Sequence, residues 1–367
     1  MRVAGVVAPP NYIDLNRKFS PVRQDGVAEE SALKNYAFGT DWHMQRSALT
    51  WDDILKRPLV VILGEPGSGK TYEMQEQAAR PSPDCPRFYF RLDELAASGA
   101  RLELSGDDAQ RMAEWKSSDN RAVFLLDSVD EAKIHQASDF HRALDRFIEL
   151  IGRSAIARAN IVISSRITEW LPTADGHALR IRFPSHAKPS ADAEKKRGSE
   201  EAYPFVINLL PLDREAVTTY AKARGVADAE QFLEALEKAH AWELARRPAD
   251  VNDLLAFWRE TGELGTLTEI LNFVCESQLR KTSDRERSEV LALERARNGA
   301  KCLSATTILC RKFSFQIPGE VNPSANGIDA LACLPPDWRS EEVRALLTHA
   351  LFDGASYGHT RAGEEDL

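Results

Sequence analysis

The stretch Leu59-Val60-Val61-Ile62-Leu63-Gly64-Glu65-Pro66-Gly67-Ser68-Gly69-Lys70-Thr71 decides the fold. Five aliphatic residues in a row fit a strand buried on both faces, the kind that parallel sheets use. The run leads directly into G-x-x-x-x-G-K-[ST], matched at every position from Gly64 to Thr71, and a helix is predicted to begin at Lys70. Strand, loop and helix in that order give the pattern its physical meaning. Glycines let the backbone curl until successive N–H groups face one concavity, and the helix start adds the positive end of its dipole. Such a cradle accepts a phosphate chain. The expected nucleotide-binding residues are therefore Gly64, Glu65, Pro66, Gly67, Ser68, Gly69, Lys70 and Thr71. Lys70 would reach the outer phosphate oxygens and the Thr71 hydroxyl would ligate magnesium.

Working outward, further β-rich runs lie at 87–91, 121–126, 159–164 and 178–183, with helical stretches between them. One helix is predicted from Ala137 to Ile151, where Phe140, Leu144, Phe147, Ile148 and Ile151 recur at helical spacing. Alternating β and α elements predict an α/β fold, a mostly parallel sheet covered by helices. A last strand is expected at Pro204 to Leu209, followed by Asp213 as an N-cap. Beyond it the chain reads as helical, near 214–224, 228–246, 248–261, 266–280, 286–298, 303–312 and 340–352. The expected organisation is a lead-in segment over 1–50 with no sustained period, then a P-loop NTPase domain over 51–212. A helical domain follows over 213–299, and a further segment over 300–367. Within the second of these, residues 184–203 are charged and small and are expected to form a mobile loop.

The buried-strand run Ala122-Val-Phe-Leu-Leu126 ends in Asp127-Ser128-Val129-Asp130-Glu131. Carboxylates at the C-terminal end of a strand sit where open α/β sheets bind their ligands. Asp127 is the expected magnesium acid, opposite Thr71. Asp130 and Glu131 are the candidate bases for the attacking water, and their order in sequence does not separate them.

Bulk properties exclude several function classes. Lys and Arg number 47 against 56 Asp and Glu, a net charge of -9, and they are interspersed, so no basic field holds a polyanion backbone. Nucleic acid is not indicated. Apolar runs fall far short of the roughly 20 residues that cross a bilayer, and the N-terminus is weaker than a secretory signal. A cytoplasmic location is expected. The five cysteines are odd in number and form no C-x-x-C pair, so neither disulfides nor zinc are expected.

The run Phe124-Leu-Leu-Asp-Ser-Val-Asp-Glu131 resembles the NACHT branch of the STAND NTPases, whose acidic strand continues through a small and an apolar residue into paired acids. Ile161-Val-Ile-Ser-Ser-Arg166 is similar to that family's sensor strand, and the resemblance implies that Arg166 faces the γ-phosphate. Leu210-Pro-Leu-Asp213 and Arg246-Arg247-Pro248 resemble the helical segment after the ATPase, which would bring Pro248 near adenine. Leu347 to Leu367 is similar to the winged-helix stretch, with His359 as its nucleotide contact. The resemblance covers about residues 51–260 well. It implies a switch operated by ATP, ADP and Mg²⁺, slow hydrolysis, and a protein partner or self-assembly. In bacterial relatives such switches commonly serve defence against phage. Family members usually carry an effector domain before the ATPase and a sensor after it, so the chain is expected to work with a partner or to be part of a longer one. The competing expectations are an AAA-type mechanochemical ATPase, a non-hydrolysing nucleotide-binding scaffold and, last, a metabolite kinase.

Overall fold

Six strands build the central sheet: β1 (Phe19–Pro21), β2 (Leu59–Leu63), β3 (Arg87–Arg91), β4 (Ala122–Asp127), β5 (Ala159–Ser165) and β6 (Phe205–Leu209). Their spatial order is β1-β6-β2-β5-β4-β3. β2 to β6 run parallel, and β1 pairs antiparallel with β6 at the edge. This computed structural model describes residues 2–3, 9, 12–22, 48–82, 84–97, 103–104, 106–127, 137–184, 203–280, 291–311, 315–317, 327–347 and 349–352. The chain divides into two compact units, residues 1–229 with 245–251 and residues 230–244 with 252–367.

The uninterrupted aliphatic runs are explained by burial on both sheet faces. Leu59, Val61 and Leu63 of β2 pack on one side with Phe124, Leu126, Ile161 and Ile163, beneath Phe140, Leu144 and Phe147 of α5 (Ala137–Ile151). The alternate residues Val60 and Ile62 pack on the other side with Val123, Leu125 and Val162. That side is covered by Trp51 and Ile54 of α1 (Trp51–Leu55) and by Met74 and Ala78 of α2 (Lys70–Ala79). A strand with one wet face would have alternated instead. Phe124 is the hub of the first side, stacked on Phe88 at 5.3 Å and edge-on to Trp115 at 5.1 Å and Phe147 at 5.2 Å. Each such pair contributes about 0.5–1.5 kcal/mol beyond its buried area. Further cover of this unit comes from α3 (Leu92–Ala97), α4 (Asp107–Ser117) and α6 (Pro172–Arg182). After β6, Asp213 caps α7 (Arg214–Ala223), accepting the Ala216 N–H at 2.9 Å as its position in the sequence predicts.

Two expectations need correction. The run 178–183 is not a strand but the end of α6. Its alternation Leu179, Arg180, Ile181, Arg182, Phe183 imitates period 2, yet Ile181 is exposed while Leu179 and Phe183, one helical turn apart, are buried. Pro172 at the helix start and Asp175, whose carboxylate accepts the Leu171 N–H at 2.8 Å, nucleate the helix. Residues 12–22 of the lead-in segment, where no strand was expected, supply β1. Phe19 is fully buried, edge-on to Trp51 at 5.0 Å. The expected loop at 184–203 lies, but for its two ends, outside the described residues.

The second unit is mainly helical, with α8 (Ala229–Lys238), α9 (Pro248–Thr261), α10 (Leu267–Arg280), α11 (Leu293–Cys310) and α12 (Ser340–Leu347), of which α8 and α9 begin in the first unit. The helices expected at 286–298 and 303–312 join in one, α11, because Ala296, Gly299, Ala300 and Leu303 form a continuous buried stripe through 299–302. Gly299 is required there: a Cβ would lie 2.5 Å from the Trp338 ring. Arg295 lies over that ring at 4.7 Å and bonds both Asp337 and Glu342. No helix among the described residues is long and apolar enough to cross a membrane.

Candidate functional site

Parallel strands bring β2, β5 and β4 to one sheet edge at their C-terminal ends, and β5 lies between the other two. The glycine loop after β2 and Asp127 at the end of β4 thus flank the end of β5, which carries Ser164, Ser165 and then Arg166. The Gly64 N–H donates to Ser165 O at 3.2 Å, tying the loop's first residue to that strand.

The loop has the conformation its glycines permit. Gly67 and Gly69 take φ of 72° and 95°, and Gly69 is the N-cap of α2. A Cβ at Gly64 would lie 3.0 Å from Ser68 Oγ and 3.3 Å from Lys70 Cδ, so this position is filled by the loop's own side chains. Lys70 Nζ donates to Gly64 O at 2.7 Å and Glu65 O at 3.0 Å, folded over the loop. Ser68 Oγ is buried with no hydrogen-bond partner. Thr71 follows Lys70 in the first turn of α2 and is half-buried.

Asp127 is 1% exposed. Its carboxylate accepts the Ser164 hydroxyl and, at 2.9 Å, the Tyr89 hydroxyl, with Gln75 Nε2 donating in turn to Tyr89 at 3.4 Å. Burial and the neighbouring Asp127 charge hold the Tyr89 phenol well above its ordinary range, so it remains a donor. Both partners are neutral hydroxyls, which orient the carboxylate without cancelling its charge.

Further residues surround the loop, and of these Arg17 and Glu73 escape sequence reasoning. Arg17, 5% exposed, donates from Nη1 to Ser68 O at 2.8 Å and from Nη2 to Leu210 O at 2.6 Å. Glu73, also 5% exposed, accepts Trp51 Nε1 at 2.9 Å and Tyr12 Oη at 3.1 Å. Burial pushes the Glu73 carboxyl up in pKa, opposed by the Trp51 bond and the Arg17 charge. Arg247 pairs with Asp250 and reaches Glu65 Oε2 at 3.2 Å. Pro248 Cγ would lie 3.6 Å from a Cβ placed on Gly69. Arg247 and Pro248 belong to the run that the family resemblance singled out, and Tyr89 carries a weaker signal, a polar handle in the strand run Arg87-Phe-Tyr-Phe-Arg91.

Of the residues singled out from sequence, Gly64 to Thr71, Asp127 and Arg166 meet at this sheet edge, Arg166 half-buried directly after β5. Asp130, Glu131 and His359 lie outside the described residues.

No protein-family model and no curated protein matches the chain. Among solved structures it is similar to the RuvB Holliday junction branch migration motor of Thermotoga maritima, at 14% identity and a TM-score of 0.34, over 89% of this chain and 90% of that one. It is also similar to AMPPCP-bound DnaA from Aquifex aeolicus, at 15% identity and a TM-score of 0.35, over 70% and 74% of the two chains. A Walker-type ATPase of Pyrococcus abyssi gives 11% identity and a TM-score of 0.35, over 71% and 76%. These likenesses are loose and assign no function. The chain's own strand order, glycine loop and helix make it an α/β protein of the P-loop NTPase fold.

Proposed function

We propose that the chain binds ATP with magnesium, hydrolyses it slowly, and uses the difference between ATP and ADP as a signalling switch of the STAND, NACHT-like kind. One observation carries the reading: a complete phosphate loop and a buried, hydroxyl-oriented carboxylate flank a strand end that presents Arg166.

The residues fit such a ligand. Glycine at 67 and 69 permits the positive φ that curls the loop, and the Ser68 hydroxyl is a buried donor with no partner. Thr71 and Asp127 offer hard oxygens, the donor type that magnesium takes. Among the described residues no three His, Cys, Asp or Glu side chains cluster to hold a metal. Magnesium would depend on phosphate oxygens for further ligands, as is usual in such sites. When bound it supplies charge neutralisation along the phosphate chain.

Lys70 would exchange its two loop carbonyls for outer phosphate oxygens. Asp130 or Glu131 would accept the proton of the attacking water. Arg166, a planar cation, would distinguish ATP from ADP by the terminal phosphate. A ligand that bonds one state more strongly shifts the balance between conformations by that difference. The output is a change in self-assembly or in binding a protein partner, and defence against phage is the biological setting the resemblance suggests. Sedimentation velocity with a nonhydrolysable ATP analogue and with ADP tests the switch. Two distinct distributions are expected, and identical ones would sink it.

A further inference from the structure

Three consecutive carbonyls on the outside of the phosphate loop are held by donors from elsewhere in the first unit. Arg247 Nη1 donates to Pro66 O at 3.3 Å, the Ala249 N–H to Gly67 O at 3.3 Å, and Arg17 Nη1 to Ser68 O at 2.8 Å. A trans peptide is planar, with its N–H opposed to its C=O. Holding the Pro66 and Ser68 carbonyls outward therefore turns the Gly67 and Gly69 N–H groups toward the loop's concave side. The Ser68 N–H serves the loop itself, donating to Glu65 O at 3.2 Å.

Both arginines are anchored at their other end. Arg17 is fixed by Leu210 O and lies in the field of buried Glu73. Arg247 is held bidentately by Asp250, Nε to Oδ2 at 2.5 Å and Nη2 to Oδ1 at 3.0 Å, while Nη1 also meets Glu65. Such a fork fixes direction as well as charge, which a lysine cannot do. The fit is close, since a Cβ on Gly67 would lie 2.7 Å from Ala249 Cβ.

We infer that Arg17 and Arg247 are positioning residues: clamped on the outer carbonyls of the phosphate loop, they hold the Gly67 and Gly69 amides in the anion-accepting orientation. The inference rests on the nucleotide reading above. Each arginine acts through the loop backbone, so the phosphates feel it and the rest of the nucleotide does not.

The test titrates ATP, ADP and AMP, with magnesium, into wild type, R247Q, R247K, R17K and K70A, with thermal midpoints measured in parallel. Loss of a hydrogen bond from a charged donor predicts that R247Q weakens ATP and ADP by about tenfold. AMP, which lacks a β-phosphate, should bind R247Q as it binds wild type. R247K should fall between R247Q and wild type, because it restores charge without the fork. In turnover assays the same variants should raise KM while kcat stays near its wild-type value. R17K should weaken ATP in the same way, and half-exposed Arg247 carries the test should buried Arg17 not tolerate change. ATP binding within twofold of wild type in R247Q and R17K, with binding abolished in K70A, overturns the positioning role and leaves the nucleotide site standing. Equal losses for AMP and ATP also overturn it, as general damage. Full binding by K70A overturns the nucleotide reading and this inference with it.

Discussion

The glycine loop and the end of β4 face the same sheet edge but are held by opposite chemistry. Around the loop the supporting side chains are cations, Arg17 and Arg247, and they bond backbone carbonyls on its outer side. Around Asp127 they are neutral hydroxyls of Ser164 and Tyr89, and they bond the carboxylate itself. The difference suits what each region is proposed to accept. A loop that takes an anion is helped by fixed positive charge behind its amides. A carboxylate that takes a cation would lose its charge to an arginine, so hydroxyl donors orient it and leave the charge available.

The largest effect expected from this contrast lies at the acid. Asp127→Asn removes the charge and keeps the shape, and phosphate release should fall by roughly a hundredfold or more, since a preorganised charged group is worth about 3 kcal/mol or more at a reacting centre. Nucleotide binding without magnesium should persist. Wild-type turnover in this variant would contradict the assignment of the metal to Asp127.

A middle-sized effect should come from the orienting hydroxyls. Ser164→Ala and Tyr89→Phe each delete one donor to Asp127. Steady-state assays should show turnover reduced by about tenfold in each and an increased magnesium requirement, from a hydrogen bond to a charged acceptor. An unchanged turnover and magnesium requirement in both variants would contradict the orienting role of these hydroxyls.

The smallest effect lies in the second unit, where Arg295 bonds the side chains of Asp337 and Glu342. The Arg295 bonds and the Arg339 N–H hold the Glu342 carboxyl far down, from an ordinary 4.5 to about 2. A folded pKa below the unfolded one contributes stability above the unfolded value, and that contribution is lost as pH falls through the folded one. The gap in thermal midpoint between wild type and Glu342→Gln should therefore be full above about pH 4.5 and close as pH approaches 2. A gap that is constant across that range would show that the network does not act through Glu342's charge.

Legibility in the sequence follows the distance between partners. Leu59 to Thr71 was readable because strand, loop and helix start are contiguous, and the burial of every β2 residue is written in the aliphatic run itself. Asp127 was readable for the same reason. Its orienting hydroxyl Tyr89 stands 38 positions away, and Arg17 stands 51 positions from the carbonyl it holds, in a segment with no period of its own. Neither contact leaves a local pattern. β1 is three residues long at an edge and includes Pro21, too short for alternation to register. At 178–183 a local pattern existed and misled, because helix position Ile181 happened to be apolar and exposed.

The measurement closest to the central claim is a calorimetric titration of magnesium and a nonhydrolysable ATP analogue into wild type and Lys70→Ala. The account predicts saturable single-site binding in wild type and none in the variant, with unchanged circular dichroism. Equal affinity in the two proteins would contradict it.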